Sequence, residues 1–268
     1  SAQSLPHGLK LDPVSGRISG VLKSKGEWNV RLTAKNALGS TERMLKIVCG
    51  NTLSLTPPMG WNSWDCYGST VEEHEVKANV NYMAKNLKKY GWEYIVVDIR
   101  WFVENDKAGG YNQKDPRYVM DQYGRYLPAL NRFPSAKDGQ GFKPLADYIH
   151  KKGLKFGIHI MRGIPRKAVE DKLPIKGTNR ITADQIYTTA LQCEWLKDNY
   201  TVVADKIGAQ EYYDSLFELY ALWGVDFVKI DDLSRPYHQA EINLIRNAID
   251  KCGRKIVLST SPGETPIS

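Results

Sequence analysis

The sequence predicts an α/β fold in which parallel strands alternate with helices, arranged as a (β/α)8 (TIM) barrel. Four segments share one pattern: a helical stretch ends at a glycine, an apolar run follows, and a polar residue comes six or seven positions after the glycine. They are Gly91–Asp98, Gly153–His159, Gly224–Asp231 and Gly253–Ser259. Strands that alternate with helices favour a parallel sheet. Polar side chains at successive strand ends are typical of a barrel, and no Gly-x-Gly-x-x-Gly follows the first strand to favour a doubly wound sheet.

Residues 1–50 differ from the rest and predict a separate antiparallel β module. Short alternating runs, Trp28–Ala34 and Met44–Val48, are separated by a hairpin expected at Asn36–Ser40. The segment resembles the later strands of an Ig-like β-sandwich module found ahead of secreted bacterial carbohydrate enzymes. It begins in the middle of that pattern, so we expect its first strands to be missing. Only Trp28 offers an aromatic platform, which favours a spacer role over sugar binding.

Residues 51–268 are expected to form the N-terminal part of the barrel, entered through a linker at 51–58. The first strand is predicted at Met59–Trp64, and Thr70 with Glu73 predicts a capping box for the first helix. Apolar positions on one face mark the helices that follow: Val76, Val80, Met83 and Leu87; Phe142, Leu145, Ala146 and Ile149; Tyr212, Tyr213, Leu216, Phe217, Tyr220 and Trp223; Ile242, Ile245 and Ile249.

The number of strands falls short of a closed barrel. The sequence provides about five strand–helix units where eight are needed. We therefore expect a chain truncated at both ends, or one whose continuation is absent, with an exposed sheet edge.

Two long excursions, over about 99–141 and 161–210, are candidates for functional loops. Within the second, Cys193 and Trp195 are candidates for the rim of a pocket, and Arg162 is expected to form an ion pair in preference to binding substrate.

Composition excludes several classes of protein. The formal net charge of the 268 residues is +7, with no basic stripe interleaved with aromatic residues, so no nucleic-acid partner is expected. The 4 cysteines form no CxxC pair and no zinc-ligand spacing. They predict buried thiols or an occasional disulfide, and neither a metal nor a cofactor is expected. No apolar run is long enough to span a membrane. Ser1 opens into polar sequence, so an export signal has been removed or was never included.

The run Gly224–Asp232 carries the chemistry on which the functional hypothesis depends. Lys229 and Asp231 are two residues apart on a predicted strand, so both side chains point to the same side of the sheet. A neighbouring cation favours the ionised carboxylate, and an ionised aspartate at a strand end is what a nucleophile requires. The competing interpretation is a surface strand that ends in a solvated Lys–Asp pair.

An ordered set of motifs resembles the α-galactosidase family of retaining glycosidases, glycoside hydrolase family 27. The motifs are Thr56–Trp64, Tyr94–Asp98 with Trp101, Arg132–Pro134, Gly153–Gly157 and Trp223–Asp231. The resemblance implies a secreted or periplasmic hydrolase that acts on an oligosaccharide or polysaccharide. It implies that Asp231 is the nucleophile, that Lys229 and Asp98 contact the sugar, and that Trp64 lies against the ring. His159 and Ser261 occupy positions where the family commonly has a tyrosine and a larger polar sugar contact.

The second carboxyl group of the mechanism is not assigned. A retaining glycosidase needs an acid/base about 5–5.5 Å from the nucleophile. In the family this residue is an aspartate on the sixth strand, which this sequence does not contain, so the piece by itself is expected to be inactive. Asp232 should point away from Asp231 across the strand. Glu104 and Asp106 are alternatives that no motif supports.

Departures from the usual residues of the family leave the identity of the sugar undetermined. The family usually has two consecutive aspartates after the second strand, whereas this sequence has Asp98 and Ile99. Loss of a buried acceptor for a hydroxyl should weaken or redirect recognition. The hypotheses are an α-galactosidase, a member specific for another sugar such as a β-L-arabinopyranoside, and a non-catalytic carbohydrate-binding protein. A metal-dependent hydrolase is disfavoured because Met59–Trp64 has no histidine ligand.

Three of the candidate residues have ordinary structural alternatives. Asp98 could form a simple ion pair with Arg100. Trp64 could be a core tryptophan, and His159 could be a hydrogen-bonded wall residue. The oligomeric state is not predicted.

Overall fold

The computed structural model describes residues 1–50, 54, 56–107 and 115–261, and the chain divides into two units, Ser1–Pro57 and Pro58–Ser268. The linker expected at 51–58, the tip of the first excursion and residues 262–268 lie wholly or partly outside the described residues.

The first unit is built from five antiparallel strands. They are β1 (Ala2–Gln3), β2 (Leu9–Leu11), β3 (Ile18–Gly20), β4 (Gly26–Asn36) and β5 (Gly39–Cys49). A three-stranded sheet has the order β1-β4-β5, and β2 pairs with β3. The predicted hairpin joins β4 to β5 through a two-residue turn, in which the Leu38 N–H donates to Asn36 Oδ1 at 2.9 Å.

The second unit contains a five-stranded parallel sheet of order β13-β12-β8-β7-β6. A smaller antiparallel sheet of order β10-β11-β9 belongs to the second excursion. The strands are β6 (Gly60–Asn62), β7 (Tyr94–Val97), β8 (Lys155–Met161), β9 (Ile164–Pro165), β10 (Tyr187–Thr188), β11 (Asn199–Val202), β12 (Phe227–Asp231) and β13 (Val257–Ser259). The parallel sheet and the helices between its strands agree with the predicted mixed α/β class.

Within the described residues, six α-helices and four short 3-10 helices accompany these strands. The α-helices are α1 (Trp64–Tyr67), α2 (Glu73–Asn86), α3 (Lys143–Lys151), α4 (Arg166–Glu170), α5 (Ala209–Trp223) and α6 (Gln239–Lys251). The 3-10 helices are Gly68–Thr70, Lys88–Tyr90, Pro134–Ala136 and Ala183–Gln185. The aromatic stripe predicted for α5 is buried along its whole length.

Two predicted boundaries are wrong. The first strand is shorter than Met59–Trp64 because the Trp64 N–H donates to Asn62 Oδ1 at 2.8 Å and starts α1 there. The capping box at α2 uses Glu72, whose N–H donates to Glu75 at 2.8 Å, in place of Thr70 and Glu73. Thr70 instead ends a short 3-10 helix, and its hydroxyl donates to the Tyr67 carbonyl at 2.9 Å.

The core between the sheet and the helices is centred on an aromatic cluster. The Phe142 ring, at the start of α3, lies 5.1–5.6 Å from the ring centroids of Trp101, Phe133, Phe156 and Trp223. Edge-on arrangements at these distances are favourable for aromatic rings. The cluster packs α3 and α5 against the loop after β7, which carries one of the candidate site residues.

Two further predictions concern the burial of the cysteines and the absence of a membrane-spanning segment. The cysteines are free thiols: Cys193 is buried as predicted, Cys49 and Cys252 are only partly buried, and the prediction is wrong for Cys66, which is exposed. Among the residues that the structure describes, no helix has both the length and the apolar character needed to cross a membrane.

We expect Phe142→Ala to destabilise the second unit by about 3–5 kcal/mol, since it removes a buried ring and leaves a cavity. The measurement is the free energy of unfolding of the full-length protein in urea. Tyr90→Ala, which truncates a ring that is 67% exposed, is the control and should change the value by less than about 0.5 kcal/mol. Equal effects of the two substitutions would contradict this account of the core.

Candidate functional site

Polar residues gather at the carboxyl edge of the parallel sheet. Asn62 ends β6 and Asp98 follows β7, while Asp231 ends β12. In the register of the sheet, Lys229 is paired with His159 on one side and with Ser259 on the other. Parallel strands present their carboxyl ends at the same edge, so residues far apart in sequence meet here.

Asp98 is a buried carboxylate held by donors from two other strands. Its Oδ2 accepts hydrogen bonds from Asn62 Nδ2 at 2.7 Å and from Lys229 Nζ at 3.1 Å. Burial acts to raise the pKa of Asp98, but the charges of His159 and Lys229 outweigh it, and the pKa lies below its ordinary value. The alternative pairing with Arg100 is not formed, because Arg100 instead binds Asp106 and Asp198 at 3.0 Å each.

Asp231 is held in its ionised form. Burial opposes its charge, but hydrogen bonds from His159 and Ser261 and the charge of Lys229 lower its pKa to about 2. His159 Nε2 lies 2.9 Å and Lys229 Nζ 3.6 Å from Asp231 Oδ2. An ionised carboxylate can only accept, so His159 carries a proton on Nε2. Lys229 therefore lies between the carboxylates of Asp98 and Asp231.

His159 is fixed from both its side chain and its backbone. The residue is fully buried, and its carbonyl accepts a hydrogen bond from Trp101 Nε1 at 2.8 Å. Among the described residues, His159 Nδ1 has no hydrogen-bond partner. The imidazole ring therefore makes one hydrogen bond to the described part of the chain, and its partner is Asp231.

A cavity of about 480 Å³ opens at the end of β12. Of the candidate site residues, Asp231 and Ser261 line the cavity, whereas Asp98, His159 and Lys229 lie outside its lining. His159 and Lys229 contact Asp231, and Asp98 contacts Lys229. Its other lining residues come from the second excursion and from the loop after β12: Leu191, Gln192, Glu194, Trp195, Asp232, Leu233, Ser234, Arg235 and Pro236. Trp195 thus lines the cavity, and Cys193, two residues earlier in the chain, is buried.

Trp64 is a further predicted site residue that lies outside the lining of this cavity. It opens α1 at the far edge of the sheet and is 38% exposed. It is connected to the site through its N–H, which donates to Asn62, the residue that binds Asp98.

The other carboxylates weighed from the sequence are engaged in ion pairs. Asp106 binds Arg100 at 3.0 Å and is buried, and Glu104 lies 3.6 Å from Arg117 at the surface. Asp232 pairs with Arg162 at 2.8 Å, although burial raises its pKa. Within the described part of the chain, no group of three or more His, Cys, Asp and Glu residues could hold a metal ion.

Sequence reasoning missed two members of this region. Asn62 was included in a motif but given no role, although its position at a strand end was a signal for one. Glu241 on α6 binds Arg162 at 3.3 Å, and no sequence pattern joins these two residues. Arg162 itself forms ion pairs, as predicted.

Comparisons with known proteins relate the two units to different families. Residues 1–49 match a family model described as "Putative Ig domain". α-Galactosidase A from Cellvibrio japonicus is 32% identical over 212 residues, which cover 77% of this chain and 38% of that protein.

Two solved structures are more similar. A family 27 β-L-arabinopyranosidase from Geobacillus stearothermophilus, solved with arabinose, is 60% identical with a TM-score of 0.76, over 79% of this chain and 50% of the other. A "putative alpha-N-acetylgalactosaminidase" from Bacillus halodurans is 59% identical with a TM-score of 0.74, over 81% and 51%. The chain thus spans about half the length of these two structures and less of the curated relative.

We expect Asp231 to contribute stability that is lost in acid. Its folded pKa of about 2 lies below the ordinary 3.8, so folding favours the ionised form above about pH 4, and the gain disappears as the pH falls through 2. The free energy of unfolding of Asp231→Asn, measured in urea, should therefore fall less between pH 4 and pH 2 than that of the parent full-length protein.

Asp232→Asn is the control for this measurement. The pKa of Asp232 is raised by burial, so this carboxyl favours folding at low pH and its removal should not reduce the loss in acid. The same acid dependence in Asp231→Asn and in the parent would contradict the assignment.

Proposed function

The homologues of this chain are family 27 glycoside hydrolases, and on that basis we propose that it belongs to a retaining glycosidase with Asp231 as nucleophile. The substrate is an oligosaccharide or polysaccharide that ends in an α-galactoside or a related pyranoside. The observation that carries the proposal is an ionised Asp231 at a cavity of about 480 Å³, supported by His159 and Lys229.

In the proposed mechanism, a carboxylate oxygen of Asp231 attacks the anomeric carbon while the bond to the leaving oxygen breaks and that oxygen takes a proton. Water then hydrolyses the glycosyl ester and restores the carboxylate. A pKa near 2 keeps Asp231 ionised over the whole range in which such an enzyme works. Asp98 and Lys229 are proposed to bind ring hydroxyls, and Ser261 a further one.

We infer that the five parallel strands are the first five of a (β/α)8 barrel, with residues 51–268 as its N-terminal part and residues 1–50 as an Ig-like module. The acid/base is then proposed to follow a sixth strand, about 5–5.5 Å from Asp231. Because residues 1–49 match an Ig domain family, we also propose a secreted or periplasmic location.

A specific observation favours a pentopyranoside over a galactoside. Ile99, which stands where the resembled family has a second aspartate, is buried in an apolar cluster with Met161, Cys193 and Leu196. α-D-Galactopyranose and β-L-arabinopyranose share the configuration of their ring hydroxyls, and only the first has a hydroxymethyl group on the ring. We propose that the hydroxymethyl position of the sugar is directed toward Ile99, whose apolar side chain provides no acceptor for the extra hydroxyl, so that this hydroxyl would be left unpaired on binding.

We expect Asp231→Ala to lower kcat by roughly 10⁴-fold or more, because the covalent step loses its nucleophile. The assay is hydrolysis of aryl α-galactoside and aryl β-L-arabinopyranoside by the full-length protein. Asp250→Ala removes an exposed carboxylate that pairs with Arg246 on α6, and it should leave kcat unchanged. Retained turnover in Asp231→Ala would refute the mechanism, and sugar binding without hydrolysis by the parent would favour a non-catalytic carbohydrate-binding protein.

We expect Ile99→Asp to shift the ratio of kcat/KM values toward the α-galactoside by about tenfold or more, since it restores an acceptor for the hydroxymethyl group. Ile99→Val keeps the apolar wall and should leave the ratio within about twofold of the parent. An unchanged ratio in a folded Ile99→Asp protein would remove Ile99 from sugar selection.

A further inference from the structure

Arg162 lies directly after β8 and is buried behind the peptide that joins Asp231 to Asp232. Its own N–H donates to the Asp231 carbonyl at 3.3 Å, and its Nε donates to the Asp232 carbonyl at 2.5 Å. Its Nη2 binds the Asp232 carboxylate at 2.8 Å. Arg162 thus contacts the carbonyls of two successive residues, Asp231 and Asp232, together with the Asp232 side chain.

The remaining donors of Arg162 extend to three other parts of the second unit. Nη1 donates to Thr201 Oγ1 on β11 at 3.0 Å and binds Glu241 Oε2 on α6 at 3.3 Å. Nη2 also donates to the carbonyl of Leu191, a residue that lines the cavity. A planar guanidinium with five N–H donors can satisfy such a set of acceptors at once, and a lysine ammonium cannot.

The backbone at Asp232 needs external support. Its φ of 66° is in the left-handed region, which is unfavourable for a residue with a Cβ. The nucleophile is the residue before it, so a relaxation of this turn would move the Asp231 carboxylate relative to the cavity.

The positive charge of Arg162 balances the negative charges of two neighbouring carboxylates. It faces the carboxylates of Asp232 and Glu241, and Glu241 is 3% exposed and also accepts from Tyr213. Without the guanidinium, the carboxylates of Asp232 and the buried Glu241 would lose the cation that both contact. Removal of one partner from a buried ion pair leaves an uncompensated charge, which is strongly unfavourable.

We propose that Arg162 is a positioning residue for the nucleophile: it fixes the peptide after Asp231 and ties it to the wall of the cavity at Leu191. This inference rests on the proposed function, because it takes Asp231 as the reacting group. It assigns Arg162 no contact with substrate.

The test compares kcat, KM and the pH dependence of kcat/KM in the full-length protein for Arg162→Lys and Arg162→Met. Arg162→Lys keeps the charge and loses the fork of donors, so kcat should fall roughly 10- to 100-fold while KM changes by less than about threefold. Arg246→Lys, the same change on an exposed arginine of α6, is the matched control and should leave kcat unchanged.

The pH dependence separates positioning from a purely structural role. The groups that face Asp231 directly are His159, Lys229 and Asp232, and Asp98 lies beyond Lys229. The groups around Arg162 are Glu241, the Cys193 thiol and His238. The acid limb is the part of the pH profile in which kcat/KM falls as the pH is lowered. In Arg162→Met this limb should move to higher pH, because the unpaired carboxylate of Asp232 then lies beside the nucleophile. Addition of Asp232→Asn to Arg162→Met should return the limb toward that of the parent.

Each outcome decides the question. The inference would be overturned if Arg162→Lys and Arg162→Met both had the same kcat and the same acid limb as the parent. A lower melting temperature with unchanged kcat and acid limb would assign Arg162 to stability alone. If Arg162→Met does not fold, the fall in kcat of Arg162→Lys decides. The proposed function fails separately, through absent turnover in the parent or retained turnover in Asp231→Ala.

Discussion

The ammonium group of Lys229 lies between two carboxylates that come from different strands, and the site depends on this arrangement. Its Nζ is 3.1 Å from Asp98 and 3.6 Å from Asp231. Burial disfavours the charge of both carboxylates, and His159 and the Lys229 ammonium together offset that cost. The register of the parallel sheet makes the contact possible, since it brings the ends of β7 and β12 to the same edge on either side of β8.

A layer of arginines holds the loops that follow these strands. Arg100, with a φ of 66°, is fixed by Asp106 and Asp198. Arg132 donates to the carbonyls of Ser69, Val71, Arg100 and Val103, and so joins the segment after β6 to the loop after β7. Buried arginines that bind several carbonyls give irregular loops the hydrogen bonds that regular structure would otherwise provide.

The helices, the strands and the polar residues at the strand ends could be predicted from local patterns. Apolar periodicity and helix-ending glycines depend only on residues a few positions apart. The aromatic stripe of α5 and the proximity of Lys229 to Asp231 follow directly from such spacing. The predicted start of α2 is wrong, because Thr70 belongs to a 3-10 helix that ends before α2 and the capping box is formed by Glu72 and Glu75. The pairs Arg100–Asp198 and Arg162–Glu241 are 98 and 79 residues apart, so only the folded chain shows them. The wall of the cavity likewise comes from an excursion whose course has no short-range signal.

The indole of Trp101 makes contacts in two regions of the second unit. Its ring packs against Phe142 and Trp223 in the aromatic cluster, and its Nε1 donates to the carbonyl of His159, whose imidazole contacts Asp231. Displacement of the ring would therefore be transmitted to the strand that carries His159. Protein engineers who seek greater heat tolerance by changing residues around Trp101 should expect catalytic side effects, whereas the exposed faces of α2 and α6 offer safer positions.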